Sequence, residues 1–240
     1  MRRLPRGARV WLDNQRQARR VRQGHASFDR ARLTRTYEQC LRLLLRREPA
    51  AELGDYLEFG VLHGASLSCM YAAREAVGLD HVRLFGFDSF EGLPESAARE
   101  DDGFWAPGQF RSSSTLTRES LRRWGVPPDA VVLVEGWFSD TATPETRTRH
   151  RIERASVVMI DCDLYSSTKQ ALAFCAPLIH RQAVFVFDDW NAGELADRRL
   201  GEAKAFHELL ATHPELHAEE LHGLNYRDKA DPKLFLVTRG

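Results

Sequence analysis

The sequence has no excess of charge of either sign, and it is poor in lysine. Lysine and arginine together number 34, as do aspartate and glutamate, so the formal net charge at pH 7 is zero. Only four basic residues are lysines, at positions 169, 204, 229 and 233. A protein that binds nucleic acid usually carries a clear positive excess. The composition therefore argues against a nucleic-acid partner.

Cysteines and long apolar runs are also few. Cys40, Cys69, Cys162 and Cys175 show no C-x-x-C spacing, and each lies in an apolar or helical stretch where a free thiol packs as a small hydrophobic side chain. The sequence contains no run of about 18 apolar residues, and its N-terminus lacks the apolar segment of a secretory signal. We therefore expect a soluble, cytoplasmic protein in a reducing compartment, with no membrane partner.

The first 27 residues are set apart by their arginines. Eight arginines occur there against a single acid, Asp13. Such a segment is compatible with contact to nucleic acid, a membrane surface or a phosphorylated partner, and with an organelle transit peptide. We favour an Arg-rich arm or lid over a cleft. Residues 28–240 are long enough for one α/β domain with a single core.

Apolar residues alternate between strand and helix spacing along this domain. A helix is predicted within residues 28–47 and further helices after Gly64, Thr115, Pro144, Ser166 and Gly201. Strands are predicted at residues 56–61, 82–87, 130–134, 156–160 and 183–187. This alternation predicts an α/β fold with a doubly wound, mostly parallel sheet. Residues 217–221 and 234–238, on either side of Gly223-Leu224-Asn225, fit a C-terminal antiparallel strand pair.

Two acidic clusters follow consecutive predicted strands. Asp161-Cys162-Asp163 comes after the fourth strand and Asp188-Asp189 after the fifth. Right-handed crossovers place such strands side by side, so their carboxyl ends open on one edge of the sheet. At about 4 Å spacing each like-charged pair costs roughly 4 kcal/mol, so the site either takes up protons or holds a cation. Either cluster alone fits a helix cap or a loop, but together they favour a hard divalent metal such as Mg²⁺.

Three turns that end the first three strands fit a cofactor. Glu58 begins the turn that runs to Gly64, which is neither a dinucleotide fingerprint nor a P-loop and whose acidity suits an ammonium group better than a pyrophosphate. Asp88 ends the second strand, where a carboxylate can accept hydrogen bonds from ribose hydroxyls. Gly136 and Trp137 follow the third, where an aromatic ring can flank adenine. Each feature also has an ordinary structural explanation, but the three together describe an S-adenosylmethionine pocket.

With these motifs in view, residues 55–190 resemble the macrocin O-methyltransferase family, metal-dependent enzymes that methylate sugar hydroxyls. The matching motifs are E-F-G-V-x-x-G from Glu58, F-D-S-F-E-G-L-P from Phe87, G-W-F-S-D-T from Gly136, I-D-C-D-L-Y-S-S-T from Ile160, and the acidic pair. The first 27 residues find no clear counterpart. The sequence also departs from the family at Ala65, Glu135 and Trp190.

The resemblance implies a class I methyltransferase, Rossmann-like fold and a role for each motif. Asp161, Asp188 and Asp189 would hold Mg²⁺, and Asp163 would be the catalytic base. We argue that Asp161 and Asp163 both face the cleft because residues i and i+2 share a side of an extended strand. The residues expected to bind S-adenosylmethionine are Glu58, Gly60, Gly64, Ser66, Asp88, Ser89, Phe90, Gly136, Trp137, Phe138 and Asp161.

The function predicted from these residues is methyl transfer to a hydroxyl of a sugar or polyhydroxylated natural product. Phe104, Trp105 and Phe110 could cover such an acceptor or simply pack in the core, and His63 is an alternative base. Two other functions stay open: a metal-dependent glycosyltransferase that uses Asp161-x-Asp163, and a non-catalytic methyltransferase-like partner. Assembly into a homo-oligomer also stays open.

Overall fold

The fold is a seven-stranded sheet with helices on both faces. The computed structural model describes residues 4–224, 226–227 and 232–240. Strands lie in the order β3-β2-β1-β4-β5-β7-β6, parallel from β3 to β5, with β7 antiparallel to both β5 and β6. The strands are β1 Asp55–Phe59, β2 Leu84–Asp88, β3 Val131–Glu135, β4 Ala155–Ile160, β5 Gln182–Phe187, β6 Leu216–Glu220 and β7 Lys233–Arg239.

Eight α-helices accompany the sheet in the described ranges. The amino-terminal pair is capped differently: Asp29 accepts the main-chain N–H of Arg32 at the start of α2, whereas α1 has no side-chain cap. The helices are α1 Arg6–Arg22, α2 Arg30–Leu45, α3 Ala65–Val77, α4 Ser114–Arg123, α5 Phe138–Thr141, α6 Pro144–His150, α7 Tyr165–Cys175 and α8 Gly201–Thr212.

Two apolar layers, one on each face of the sheet, form the core. The central strands β1, β4 and β5 are buried along their whole length, as expected of parallel strands covered on both faces. Alternate residues such as Tyr56 and Val157 pack toward α2 and α3, while Phe59 and Ile160 pack toward α7 and α8. The sheet is therefore a rigid base from which the loops at its carboxyl edge project.

The predicted fold class is confirmed, with strand ends displaced by one or two residues. The second strand begins at Leu84 rather than Val82, and the closing antiparallel pair is present. Asn225, predicted in the turn of that pair, lies outside the described residues. None of the described helices combines the length and apolar character needed to cross a bilayer.

Most of the Arg-rich segment is helical and lies on the long loop that follows β2. The Arg6 guanidinium Nη2 donates hydrogen bonds to the carbonyls of residues 103, 104 and 105 at 3.0, 3.2 and 2.8 Å. Asn14 Nδ2 donates to the Gly108 carbonyl at 2.7 Å. At the other end of α1, Arg123 donates to the Val21 carbonyl at 3.1 Å. Helix α1 is thus fixed at both ends to elements that surround the sheet edge.

Candidate active site

One cavity of about 600 Å³ opens at the carboxyl edge of the sheet. It lies where β1 and β4 are neighbours and the chain turns away to either side, the usual ligand position in an open α/β sheet. Turns after β1 to β5 form its floor, and α1 contributes part of its wall through Gln17, Arg20 and Val21. The predicted cofactor turn and the predicted acidic clusters therefore share one space.

Gly60 allows the floor of this cavity to close. Its φ is +92°, and a Cβ at this position would lie 1.7 Å from the carbonyl oxygen of Asp161. Only glycine permits both this conformation and this approach of two main chains. The glycine turn after β1 and the acidic turn after β4 are consequently held edge to edge.

The Asp88 carboxylate accepts hydrogen bonds from three main-chain N–H groups. Its Oδ2 accepts hydrogen bonds from the N–H groups of Val61 and Leu62 at 2.8 and 2.7 Å, and its Oδ1 accepts the N–H of Phe90 at 2.7 Å. Burial raises the pKa of Asp88, and these three donors oppose that rise. Asp88 thus shapes the glycine turn, and the predicted ribose contact would use the lone pairs that remain.

Glu58 is buried on the wall of the cavity. Its Oε2 accepts hydrogen bonds from the hydroxyls of Tyr56 and Ser66, both at 2.5 Å, and the Tyr56 hydroxyl lies 2.9 Å from that of Tyr37. Burial raises the pKa of Glu58 to about 8, although the two hydroxyl donors act in the opposite sense. A cationic ligand group would be the natural partner of the ionised form.

We expect Glu58→Gln to remove a pH dependence of stability in the ligand-free protein. Because the pKa of Glu58 is raised in the folded state, its stabilising contribution is complete below the unfolded pKa of about 4.3 and is lost as the pH rises through about 8. Glutamine keeps the shape without ionising. Urea denaturation between pH 5 and 8.5 should show the stability of Glu58→Gln relative to wild type rising by roughly 2 kcal/mol or more.

The matched control is Glu91→Gln, since Glu91 is exposed and pairs with Arg111 at 2.7 Å on the surface. Its stability should follow wild type across the same pH range. Parallel curves for wild type and Glu58→Gln would contradict the raised pKa.

The turn after β3 contributes an aromatic wall. Gly136 has φ +139°, and Trp137, which follows it, stays 39% exposed on the cavity. Phe138 packs edge-on against Phe59, with ring centroids 5.5 Å apart. An exposed indole beside a cavity is available to a planar ligand group.

Most of the predicted cofactor residues line the cavity, but two lie behind its wall. Gly64 faces the side chains of Leu121 and Thr117, so it serves the packing of α3 against α4. Phe90 is 4% exposed and has φ +59°. The residues that do line the cavity are Glu58, Gly60, Ser66, Asp88, Ser89, Gly136, Trp137, Phe138 and Asp161.

Three of the four aspartates from the acidic clusters converge. Asp161, Asp188 and Asp189 each offer a carboxylate oxygen, and these atoms lie within 4.8 Å of one another. Asp163 lines the same cavity but does not belong to this group of three. Asp163 also forms a side-chain hydrogen bond with Asp189, so its role as base rather than ligand stays a prediction.

The geometric reason given for the position of Asp163 was wrong. Strand β4 ends at Ile160, and Asp163 has φ +65°, so residues 161–163 do not continue an extended strand. Asp163 reaches the cavity through a left-handed turn that precedes α7. Aspartate adopts this conformation more readily than most residues do.

Two residues from the segment between β6 and β7 contact Asp188 and were not predicted from the sequence. The Tyr226 hydroxyl donates to Asp188 Oδ1, and the Arg227 guanidinium donates to Asp188 Oδ2. Arg227 also lines the cavity. Tyrosine and arginine near the end of the chain carry no motif, so no sequence signal pointed to them.

A third unpredicted residue, Glu202, lies beside the acidic pair. It is fully buried in the first turn of α8, and its Oε2 accepts the main-chain N–H of Asp189 at 3.2 Å. Burial raises the pKa of Glu202 well above its ordinary range, and the charges of Asp189, Asp188 and Asp163 add to that rise. A glutamate in the first turn of a helix commonly interacts with the helix dipole. The sequence therefore offers no reason to assign Glu202 to the site.

Burial dominates the electrostatics of the acidic group. It raises the pKa of Asp161 well above its ordinary range, with further increases from Asp188 and Asp189. It raises the pKa of Asp163 in the same way, with the charge of Asp189 as the next cause. For Asp188 the rise is opposed by Arg227. Arg227 opposes the rise for Asp161 as well, so a positive charge at this place favours the ionised carboxylates.

The aromatic residues of the loop after β2 divide between core and cavity. Phe110 lines the cavity, Trp105 is buried in a cluster with Leu164 and Leu195, and Phe104 is 43% exposed. Of the three predicted cover residues, only Phe110 is therefore in position to touch an acceptor. Asp101 anchors this loop by accepting main-chain N–H groups from Tyr165 and Gly201, the first residues of α7 and α8.

His63 faces the cavity without a hydrogen-bond partner for its Nε2 in the described part of the chain. It is 4% exposed. Burial, with the charge of Arg22 second, lowers the pKa of His63 to about 4. The imidazole is consequently neutral at pH 7, and it is a weaker base than an ordinary histidine.

Comparison with known proteins places these features in a family. The family model for macrocin O-methyltransferase (TylF) matches residues 12–216. The match begins well before residue 55, so much of the Arg-rich segment has a counterpart after all. It extends beyond Trp190 to the start of β6.

Individual relatives agree with the family match. An 8-demethyl-8-(2,3-dimethoxy-α-L-rhamnosyl)-tetracenomycin-C 4′-O-methyltransferase from Streptomyces olivaceus is 34% identical over 143 residues, which are 57% of this chain and 53% of the relative. The chain thus spans about half the length of the curated relatives it matches. In structure it is similar to the O-methyltransferase NovP, with a TM-score of 0.68 and 21% identity over 87% of this chain and 80% of NovP.

A more distant structure has the same fold. It is the O-methyltransferase from Bacillus cereus in complex with SAH, with a TM-score of 0.58 and 15% identity over 97% of this chain and 90% of that chain. These likenesses confirm the class I methyltransferase fold predicted from the sequence.

Proposed function

The chain belongs to the macrocin O-methyltransferase family, and on that premise we propose that it transfers a methyl group from S-adenosylmethionine to a hydroxyl of a sugar or polyhydroxylated natural product, with Mg²⁺ bound. The observation that carries this proposal is the arrangement of one cavity. A glycine turn, a group of three carboxylates and Asp163 open into it together.

The acceptor class comes from the relatives. The Streptomyces olivaceus relative is a 4′-O-methyltransferase of a rhamnosyl-tetracenomycin, and a Micromonospora griseorubida relative is a mycinamicin III 3″-O-methyltransferase. A cavity of about 600 Å³ has room for S-adenosylmethionine and a sugar ring side by side. We therefore propose a glycoside hydroxyl as the acceptor.

The residues present fit a hard divalent cation. Asp161, Asp188 and Asp189 supply only oxygen donors, and their oxygens lie close enough together to share one ion. Carboxylates this close together repel one another, and Asp188 is buried, so a compensating positive charge would stabilise the group. When bound, Mg²⁺ would lower the pKa of an acceptor hydroxyl, and S-adenosylmethionine would supply the methyl group.

In this proposal the other residues orient the reactants and remove a proton. Glu58 would accept the ammonium group of the cofactor, and Trp137 would flank its adenine. Asp163 would take the proton from the acceptor hydroxyl at a carboxylate oxygen as the oxygen–methyl bond forms and the methyl–sulfur bond breaks, which would leave S-adenosylhomocysteine. Holding acceptor oxygen, methyl carbon and sulfur in line would supply much of the remaining acceleration.

We also propose that α1 covers the acceptor end of the cavity. Gln17, Arg20 and Val21 line it, and Arg6 and Asn14 fasten the helix to the loop that carries Phe110. Such a cover would exclude water from the reacting groups.

The four free cysteines, all buried, fit a cytoplasmic setting.

Ligand binding distinguishes the proposed methyltransferase from the two other candidate functions. For a methyltransferase, we expect S-adenosylhomocysteine to bind without metal, because the cofactor turn and the three carboxylates are separate groups of residues. Asp88→Ala should weaken that binding by ~1 to 3 kcal/mol, since the main-chain N–H groups of Val61 and Leu62 would lose the carboxylate that accepts their hydrogen bonds. Isothermal titration calorimetry with and without Mg²⁺ measures both quantities.

Glu91→Ala is the control, because its carboxylate lies on the surface and should leave the affinity unchanged. Heat from a nucleotide sugar but none from S-adenosylhomocysteine would favour the glycosyltransferase. Binding of S-adenosylhomocysteine without methylation of any glycoside tested would favour the non-catalytic partner.

A further inference from the structure

Glu202 is a buried carboxylate to which the proposed reaction gives no role. It is fully buried, and its Oε2 accepts the main-chain N–H of Asp189. Its other oxygen, Oε1, is buried and has no hydrogen-bond partner among the described residues. One oxygen is thus in use, and the other is ready to accept a donor.

The surroundings of Glu202 make it unsuited to a purely structural task. The charges that act on it are those of Asp189, Asp188 and Asp163, all of like sign. A glutamine could accept the same main-chain N–H without adding a further carboxylate beside the four aspartates. Positions that work against stability in this way are typical of functional sites.

We propose that Glu202 is a positioning residue of the metal centre. It fixes the main chain of Asp189, one of the three carboxylates that would hold the cation, and its Oε1 accepts a hydrogen bond from the hydration shell of that cation. Groups behind the ligands of a metal site commonly act in this way and affect metal affinity. The inference rests on the proposed function, since it assumes that the three carboxylates hold a cation.

The test measures metal affinity and needs no acceptor. Mn²⁺ is titrated into the purified full chain and followed by electron paramagnetic resonance, in wild type, Glu202→Gln, Asp189→Asn and Glu208→Gln. Glu202→Gln should bind Mn²⁺ about 10- to 100-fold more weakly than wild type. Glu208 is the matched control because it lies on the same helix but bonds to Tyr165 and Lys169, so its variant should bind as wild type does.

Urea denaturation of the metal-free proteins separates positioning from folding. Glu202→Gln should be at least as stable as wild type, because glutamine still accepts the Asp189 N–H and adds no ionisable group beside the aspartates, while its Mn²⁺ affinity falls. Wild-type affinity in Glu202→Gln, with weak binding in Asp189→Asn, would overturn the role of Glu202 and leave the metal site intact. Absence of Mn²⁺ binding by wild type would overturn the metal site and the inference together.

Discussion

Asp163→Asn should lower methyl transfer by roughly 100-fold or more while leaving the affinities for Mg²⁺ and S-adenosylhomocysteine nearly unchanged. A positioned base typically contributes at least that factor, and an amide cannot take up the acceptor proton. Asparagine also tolerates the left-handed conformation at this position, where φ is +65°. The fold of the turn should therefore survive the substitution.

The measurement compares turnover on a glycoside that wild type methylates with calorimetric titrations of cofactor product and metal. Asp161→Asn is the matched variant two residues away, and it should lose metal affinity as well as turnover because Asp161 belongs to the group of three. If Asp163→Asn instead lost metal affinity and regained turnover at high Mg²⁺, Asp163 would be a ligand. His63, whose pKa is lowered to about 4, would then be the next residue to substitute.

Gly60→Ala should damage folding and both halves of the site at once. The new Cβ would lie 1.7 Å from the Asp161 carbonyl oxygen, and this contact is with main chain that cannot rotate aside. The ends of β1 and β4 would have to separate, and φ of +92° would add strain. We expect a loss of roughly 3 kcal/mol or more in the free energy of unfolding, together with weaker S-adenosylhomocysteine binding.

Gly78→Ala is the control that separates the cost of backbone strain from the cost of a steric clash. Gly78 also has a positive φ, of +75°, but an added Cβ there would meet nothing within 4 Å. Its substitution should cost only the conformational strain, about 1–2 kcal/mol, with no effect on ligand binding. Equal losses of stability in the two variants, measured by urea denaturation, would refute the close approach at Gly60.

The sheet and the acidic edge could be predicted because they depend on local patterns. Buried parallel strands are continuous apolar runs, and each of the first five was followed at once by the residues that face the cavity. Strand order then followed from the handedness of crossovers. Asp161, Asp188 and Asp189 therefore lie together, as predicted.

The residues that contact Asp188 and Asp189 could not be predicted, because they come from segments that are distant in the sequence and meet the acidic pair only in the folded chain. Tyr226, Arg227 and Glu202 reach the acidic pair from the segment after β6 and from α8, and no spacing in the sequence links them to it. Asp163 was assigned to the cavity for the wrong reason, since a single left-handed residue turns it there rather than a strand. The position of Trp105 could not be predicted either, because an aromatic side chain in a loop can pack in the core or line a cavity, and Trp105 packs in the core.

The contribution of α1 to the cavity wall means that two distant parts of the chain build one cavity. The carboxylates and the glycine turn come from the sheet edge, whereas Gln17, Arg20 and Val21 come from one contiguous helix near the N-terminus. That helix is one contiguous segment, and side-chain to main-chain hydrogen bonds join it to the loop after β2 and to Arg123. On the proposal that α1 covers the acceptor, chimeras that swap this helix between relatives should keep the carboxylates and the glycine turn in place and change which glycosides are methylated.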